Sequence, residues 1–177
     1  MRIVVSGTHA SGKSTLISDF ALGHPGFTVL PDPFELLDEA SDAPGAAMIS
    51  AQLRLSAERL REETAADLIA ERGPIDFLAY LLALADLTGD DFPDGYLERM
   101  TALTADALRT VDLLVVLPLN DRDVIEVGAE EHPALRTAMD GILGELIDDP
   151  DIVPAGVRVV EITGDPRTRR ELLEQAL

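Results

Sequence analysis

The sequence predicts an α/β fold in which a doubly wound, five-stranded parallel sheet is covered by helices on both faces. Three observations carry this. Five short apolar segments alternate with stretches of helical periodicity, the pattern of repeated βαβ units. The first unit holds a glycine-bounded loop, Gly7-Thr8-His9-Ala10-Ser11-Gly12-Lys13-Ser14, between an apolar run and an amphipathic one. The 177 residues suit a single α/β domain spanning 1–177, and no Pro/Gly/Ser-rich linker, repeat or low-complexity tract divides them.

Each element can be justified in turn. Strand one is the apolar run Arg2–Ser6, and an amphipathic helix covers Thr15 to Leu22 after the loop. Strand two spans about Phe27–Pro31, and a long helical stretch, Ala46–Thr64, leads into strand three at Asp67–Glu71. Phe77, Tyr80, Leu81, Leu84 and Leu87 then recur at helical spacing, followed by a second helical stretch from Asp94 to Arg109; both apolar stripes read as core. Strand four, Asp112–Leu117, is the plainest, with Leu-Leu-Val-Val-Leu between Asp112 and Pro118. The segment Asn120–Asp149 is less apolar, with Arg122, Glu126, Glu130, Glu131 and Arg136 scattered through it, and reads as a mobile lid. Strand five is Val157–Ile162, and the last helix starts near Pro166, a favourable first-turn residue. A ligand of such a sheet binds outside the carboxyl ends of the strands.

The loop fits G-x-x-x-x-G-K-[ST] at every fixed position, with the strand before it and the helix after it in place. Its Lys13 is the single lysine of the chain, which otherwise uses arginine. Gly7 and Gly12 permit torsions and a close backbone approach that a side chain would block. Thr8, His9, Ala10, Ser11 and Thr15 complete the segment, whose amides turn inward as an anion nest at a helix N-terminus. Lys13 reaches β- and γ-phosphates as a point charge, and the Ser14 hydroxyl ligates magnesium. His9 lies within reach of a phosphate, and otherwise reads as a solvated loop histidine. The expected ligand is a nucleoside triphosphate with Mg²⁺.

Composition narrows the alternatives. A net charge of −19 argues against nucleic acid or an anionic membrane as partner, so phosphate binding has to come from local cations and amides. No cysteine is present, which removes disulfides, a cysteine nucleophile and thiolate metal sites. Met1-Arg2 runs directly into the first strand and no apolar run is long enough to span a bilayer, so the chain reads as cytoplasmic.

Three further places lie at carboxyl ends of strands. Asp32 follows strand two, Glu71-Arg72-Gly73 ends strand three, and Gly164-Asp165-Pro166 follows strand five. A carboxylate beside bound phosphates holds magnesium or accepts a proton from an attacking hydroxyl, and Arg72 neutralises charge on a transferred group. Glu71-Arg72 has a second reading, as an ordinary exposed charge pair at a strand end. Asp32 has a second reading, as an N-terminal cap ahead of Phe34-Glu35-Leu36-Leu37.

The phosphate loop, Asp32-Pro33 and Glu71-Arg72-Gly73 together resemble the P-loop kinases of small metabolites: the nucleoside kinases, the nucleoside monophosphate kinases and bacterial AAA-domain kinase-like ATPases. The stretch from Glu71 to Tyr80 resembles the last group especially. The resemblance implies a kinase-type three-layer P-loop fold with a helical lid. It implies Asp32 as base toward a substrate hydroxyl, and Glu71 and Arg72 at magnesium and phosphate, although Gly73 stands where deoxynucleoside kinases have serine. It places Gln52 near a nucleobase, and Gly164, Asp165, Pro166 and Arg167 against adenine. The chain departs from the family pattern in the lid, which offers only Arg122 and Arg136 amid several carboxylates. An acidic pocket of Glu126, Glu130 and Glu131 would suit an amine-bearing acceptor.

The expected activity is ATP-dependent phosphorylation of a hydroxyl, or a phosphate, of a small metabolite that the resemblance makes nucleoside-like, with a homodimer the default for such kinases. The alternative is a nucleotide-binding sensor or weak NTPase with no phosphoryl acceptor. A regulatory GTPase is excluded, since no second lysine exists to build its Asn/Thr-Lys-x-Asp loop. An oligomeric AAA motor is disfavoured too, because strand four ends in Leu117-Pro118-Leu119-Asn120 and not in Asp-Glu.

Overall fold

The structure, a computed structural model, describes residues 1–36, 45–89, 92–120 and 132–177. Among these residues, five strands and six α-helices follow one another as β1 (Arg2–Ser6), α1 (Lys13–Gly23), β2 (Thr28–Leu30), α2 (Ala46–Glu62), β3 (Leu68–Glu71), α3 (Pro74–Thr88), α4 (Tyr96–Leu108), β4 (Leu113–Val116), α5 (Pro133–Ile147), β5 (Arg158–Glu161) and α6 (Pro166–Gln175). All strand pairs are parallel, in the order β2-β3-β1-β4-β5. The chain builds β2 and β3 on one side of β1, then crosses to β4 and β5 on the other. Loops leaving β1 and its neighbours therefore diverge at the carboxyl edge, where a crevice opens.

Side-chain alternation makes three layers. Ile3 and Val5 of β1, Ile69 of β3, and Leu113 and Val115 of β4 pack with Leu16, Ile17 and Phe20 of α1 and Leu173 of α6. Val4, Leu68, Ala70, Leu114 and Val116 face the other way, toward Leu53 and Leu60 of α2, Leu78 and Leu81 of α3, and Leu143 of α5. Strands covered on both faces read as continuous apolar runs, which is why they are plain in the sequence.

The lid expectation needs correcting in its second half. Residues 133–147 form α5, whose Leu135, Met139, Leu143 and Leu146 are buried in the main core with α3. The spacing of four, four and three is a helical apolar stripe, and burying it fixes α5 to the body of the domain. Arg122, Glu126, Glu130 and Glu131 lie outside the described residues. No described helix is long and apolar enough to cross a membrane.

At the opposite, amino edge, Arg2 ties several elements together. Its Nε donates to Thr110 O at 2.7 Å, and its Nη1 donates to Glu63 O at 2.9 Å and Ala65 O at 3.1 Å. Its Nη2 donates to Leu60 O, in the last turn of α2. Arg2→Met strips a cation from four partly buried carbonyls and is expected to lower stability by about 2–4 kcal/mol in urea unfolding. A loss under about 0.5 kcal/mol would mean that water replaces the guanidinium at no cost.

Candidate active site

The site is built around the loop joining β1 to α1. A Cβ on Gly7 would lie 2.8 Å from Leu117 O and 2.9 Å from Ser11 Oγ, so only a hydrogen fits between the loop and the exit of β4. Ala10 (φ 50°) and Gly12 (φ 90°) are both left-handed, which folds the loop back on itself. The N–H groups of Ala10 through Ser14 have no hydrogen-bond acceptor among the described residues. An ordinary loop does not leave five consecutive donors without an acceptor, and an anion nest does.

Lys13 is only 4% exposed, and its ammonium donates to Thr8 O at 2.5 Å and Ser11 Oγ at 3.3 Å. Burial pulls its pKa down to about 7, helped by the nearby Arg72 charge and opposed by Asp76, Glu71 and Asp32. Such a lysine is held inside the loop in a costly state that a phosphate oxygen relieves.

Ser14 and Glu71 meet on the open side, where Ser14 Oγ donates to Glu71 Oε1 at 2.7 Å. A hydroxyl and a carboxylate beside an anion nest form a hard oxygen set that suits Mg²⁺, an ion that takes its remaining ligands from phosphates and water. Among the described residues no cluster of three or more His, Asp or Glu could hold a metal by protein ligands alone.

Arg72 is 9% exposed and left-handed at φ 62°, a conformation that costs a non-glycine residue about 1–3 kcal/mol. Its backbone is held by Val5 O, which accepts from Arg72 N at 3.1 Å, and by Ser56 Oγ, which donates to Arg72 O at 3.3 Å. The strain aims the guanidinium across the sheet edge. Nε donates to Asp32 Oδ2 at 2.6 Å, Nη1 donates to Gly7 O at 3.3 Å, and the cation lies 5.6 Å from the centre of the Tyr80 ring. Burial works against its charge, but Tyr80, Asp32 and Asp76 outweigh burial and raise its pKa.

Asp32 acts as a cap and also pairs with Arg72. One carboxylate oxygen accepts from Phe34 N at 3.0 Å, capping the 3₁₀ turn Pro33–Leu36, while the other pairs with Arg72. Arg59 Nη1 steadies the approach by donating to Pro31 O at 2.8 Å. The glycine at 73 also has a physical reason. A Cβ there would stand 2.8 Å from Val4 Cγ1, so a serine does not fit unless the core shifts.

Several contacts at the site were not foreseen. Asp76, fully buried in the first turn of α3, accepts from Ser6 Oγ at 2.7 Å, Gly7 N at 2.8 Å and Gly73 N at 2.9 Å, and so fastens the start of the loop to the end of β3. Desolvation raises its pKa, against the pull of Arg72 and Lys13. A carboxylate at the third position of a helix opened by Gly-Pro is a capping signal that was present in the sequence. His9 is half-buried instead of solvated: its N–H donates to Tyr80 Oη at 2.9 Å and its Nδ1 lies 3.0 Å from the same oxygen. Arg136 of α5 donates through Nε to His9 O and through Nη2 to Ala10 O, both at 3.1 Å. Arg169 of α6, 6% exposed, donates through Nη1 to Ser11 O and through Nε to Gly164 O, both at 2.6 Å.

The structure thus brings Lys13, Ser14, Asp32, Glu71 and Arg72 together with the loop, and links Gly164 to it through Arg169. Thr15 is exposed on the first turn of α1, and Pro166 is exposed at the start of α6. Asp165 is engaged as the cap of α6, accepting from Thr168 N at 2.8 Å, and Arg167 pairs with Glu171 at 2.9 Å on the surface. Gln52 is 3% exposed on α2, one turn before Ser56, and is not a solvated side chain.

Known structures share this arrangement of elements. Deoxyadenosine kinase from M. mycoides with bound dATP matches with a TM-score of 0.72 at 14% identity, over 99% of this chain and 98% of that one. The same enzyme with bound dCTP matches with a TM-score of 0.70 at 16% identity, over 99% and 98% of the two chains. Thymidylate kinase from Candida albicans matches with a TM-score of 0.62 at 18% identity, over 98% and 89%. At these identities the likeness is one of fold, and the fold is that of the P-loop kinases. Comparison with curated proteins gives no match. The family described as "AAA domain" matches residues 2–169, nearly the whole chain, and this protein belongs to it.

Proposed function

We propose that this protein is an ATP-dependent phosphotransferase that passes a phosphoryl group to a hydroxyl of a small, nucleoside-like metabolite. One observation carries the reading: Arg72 bridges the phosphate loop at Gly7 O and the Asp32 carboxylate two strands away. Hydrolysis alone needs the loop, its lysine and a metal site. A carboxylate wired to the phosphate side by a strained, buried arginine is what transfer to an acceptor adds. The kinase folds of the neighbouring structures support the class of reaction, and their names support a nucleoside-like acceptor. Gln52, on α2 one turn before the Ser56 that bonds Arg72 O, would supply an amide for a base edge.

The residues divide the work. The loop amides and Lys13 bind the donor's β- and γ-oxygens, and Lys13 is protonated as it does so. Ser14 and Glu71 would hold Mg²⁺, which supplies charge neutralisation on the donor phosphates when bound. Arg72 turns from Asp32 toward the charge on the transferred group, freeing Asp32 Oδ2. Asp32 then takes the proton of the acceptor hydroxyl as its oxygen bonds to the γ-phosphorus and the bond to the bridging β–γ oxygen breaks, releasing ADP.

The test is ADP release from Mg-ATP with pooled nucleosides, nucleoside monophosphates, amine-bearing compounds and vitamin precursors. One pool is expected to raise release well above the hydrolytic background, and Asp32→Asn to lower that stimulated rate by about 100-fold or more. Release indifferent to every pool would favour the sensor or weak NTPase instead.

A further inference from the structure

We propose that Arg136 and Arg169 are positioning residues that hold the carbonyls of the phosphate loop outward, so that its amides converge on the donor phosphates. The proposal rests on the donor-site reading above. Five consecutive carbonyls, from Gly7 to Ser11, each accept from a cationic side chain. Arg72 serves Gly7, Lys13 serves Thr8, Arg136 serves His9 and Ala10, and Arg169 serves Ser11. In a chain of net charge −19, four of the 14 lysines and arginines converge on one loop from separate elements of the fold.

The geometry is specific to guanidinium. Arg136 spans two successive carbonyls with Nε and Nη2 at equal distances of 3.1 Å, fixing the peptide planes on either side of the left-handed Ala10. A single ammonium cannot make that fork. Arg169 joins Ser11 O to Gly164 O and so couples the phosphate loop to the loop after β5. Holding the carbonyls of His9, Ala10 and Ser11 outward turns the N–H groups of Ala10, Ser11 and Gly12 inward, and these three have no acceptor among the described residues. Removing either clamp lets carbonyl dipoles rotate into the anion site.

A positioning role predicts equal losses for every ligand that uses the nest. Calorimetric titration with Mg-ADP and with Mg-ATP is expected to give affinities about 10- to 100-fold weaker for Arg136→Met, by the same factor for both, as when outer hydrogen-bond partners of a site are removed. Arg136→Lys, which keeps the charge and loses the fork, should stay within threefold of Arg136→Met. Arg169→Met should behave like Arg136→Met; if its deeper burial unfolds it, as circular dichroism would reveal, the less buried Arg136 keeps the test intact. A loss confined to Mg-ATP would make Arg136 a direct γ-phosphate ligand and overturn the proposal. So would wild-type affinity in Arg136→Met, or its restoration in Arg136→Lys. Wild-type protein that binds neither ligand, or a Lys13→Ala variant that binds as wild type, would count against the donor-site reading instead.

Discussion

Lys13→Met is expected to abolish nucleotide-dependent turnover, by about 10³-fold or more, and to leave the protein as stable as the wild type or more so. Lys13 is 4% exposed and its pKa is depressed to about 7, so the folded protein carries this ammonium at a cost. Replacing a buried charge by an apolar side chain of similar length is often neutral or stabilising by about 1–4 kcal/mol. The pH dependence follows from the same shift. Between about 7, the folded value, and 10.5, the ordinary one, the unfolded chain holds a proton that the folded chain has released. Wild-type stability therefore rises with pH across that window relative to Lys13→Met, by at most about 1.4 kcal/mol per pH unit. Nucleotide binding reverses the shift, so at pH 8 to 8.5 wild-type protein should take up a proton on binding Mg-ADP. Titration calorimetry in buffers of different ionisation enthalpy reads this directly. Full turnover in Lys13→Met, or a loss of more than about 2 kcal/mol in its unfolding free energy, would make the ammonium a structural group.

Asp76→Ala should be the most damaging change to the fold at the site. The side chain is fully buried and accepts from Ser6 Oγ, Gly7 N and Gly73 N. Alanine strands those donors, each at roughly 1–3 kcal/mol, and removes the anion that faces Arg72 and Lys13. A loss of about 3–5 kcal/mol is expected in urea unfolding. Because Asp76 helps keep Lys13 charged, Mg-ADP affinity should fall as well, and more steeply above pH 7. Stability within 1 kcal/mol of wild type would mean that water enters and replaces the carboxylate.

The sheet was legible because parallel strands buried on both faces announce themselves as apolar runs. β1 lies at Arg2–Ser6 as read, and the other four strands each lie one residue inside the expected limits at one end or both. The phosphate loop was legible because its geometry demands glycines and a lysine at fixed spacing. The rest of the site joins residues far apart in sequence: Arg136 lies 127 positions from His9, and Arg169 lies 158 from Ser11. No local pattern encodes such contacts. Two misreadings did have local signals. The stripe Leu135, Met139, Leu143, Leu146 marks α5 as core, although the charges around it suggested a lid. Tyr80, counted only as part of an apolar stripe, carries a hydroxyl that holds His9 and a ring that faces Arg72.

The proposed reaction is transfer of a phosphoryl group to an acceptor at the site around Lys13, Asp32 and Arg72. Phosphorus NMR of the protein with Mg-ATP and the pool that most stimulates ADP release tests it most directly. A new phosphoester resonance is expected to grow in step with ADP and to be missing with Lys13→Met. ADP accompanied only by inorganic phosphate, whatever the pool, would contradict it.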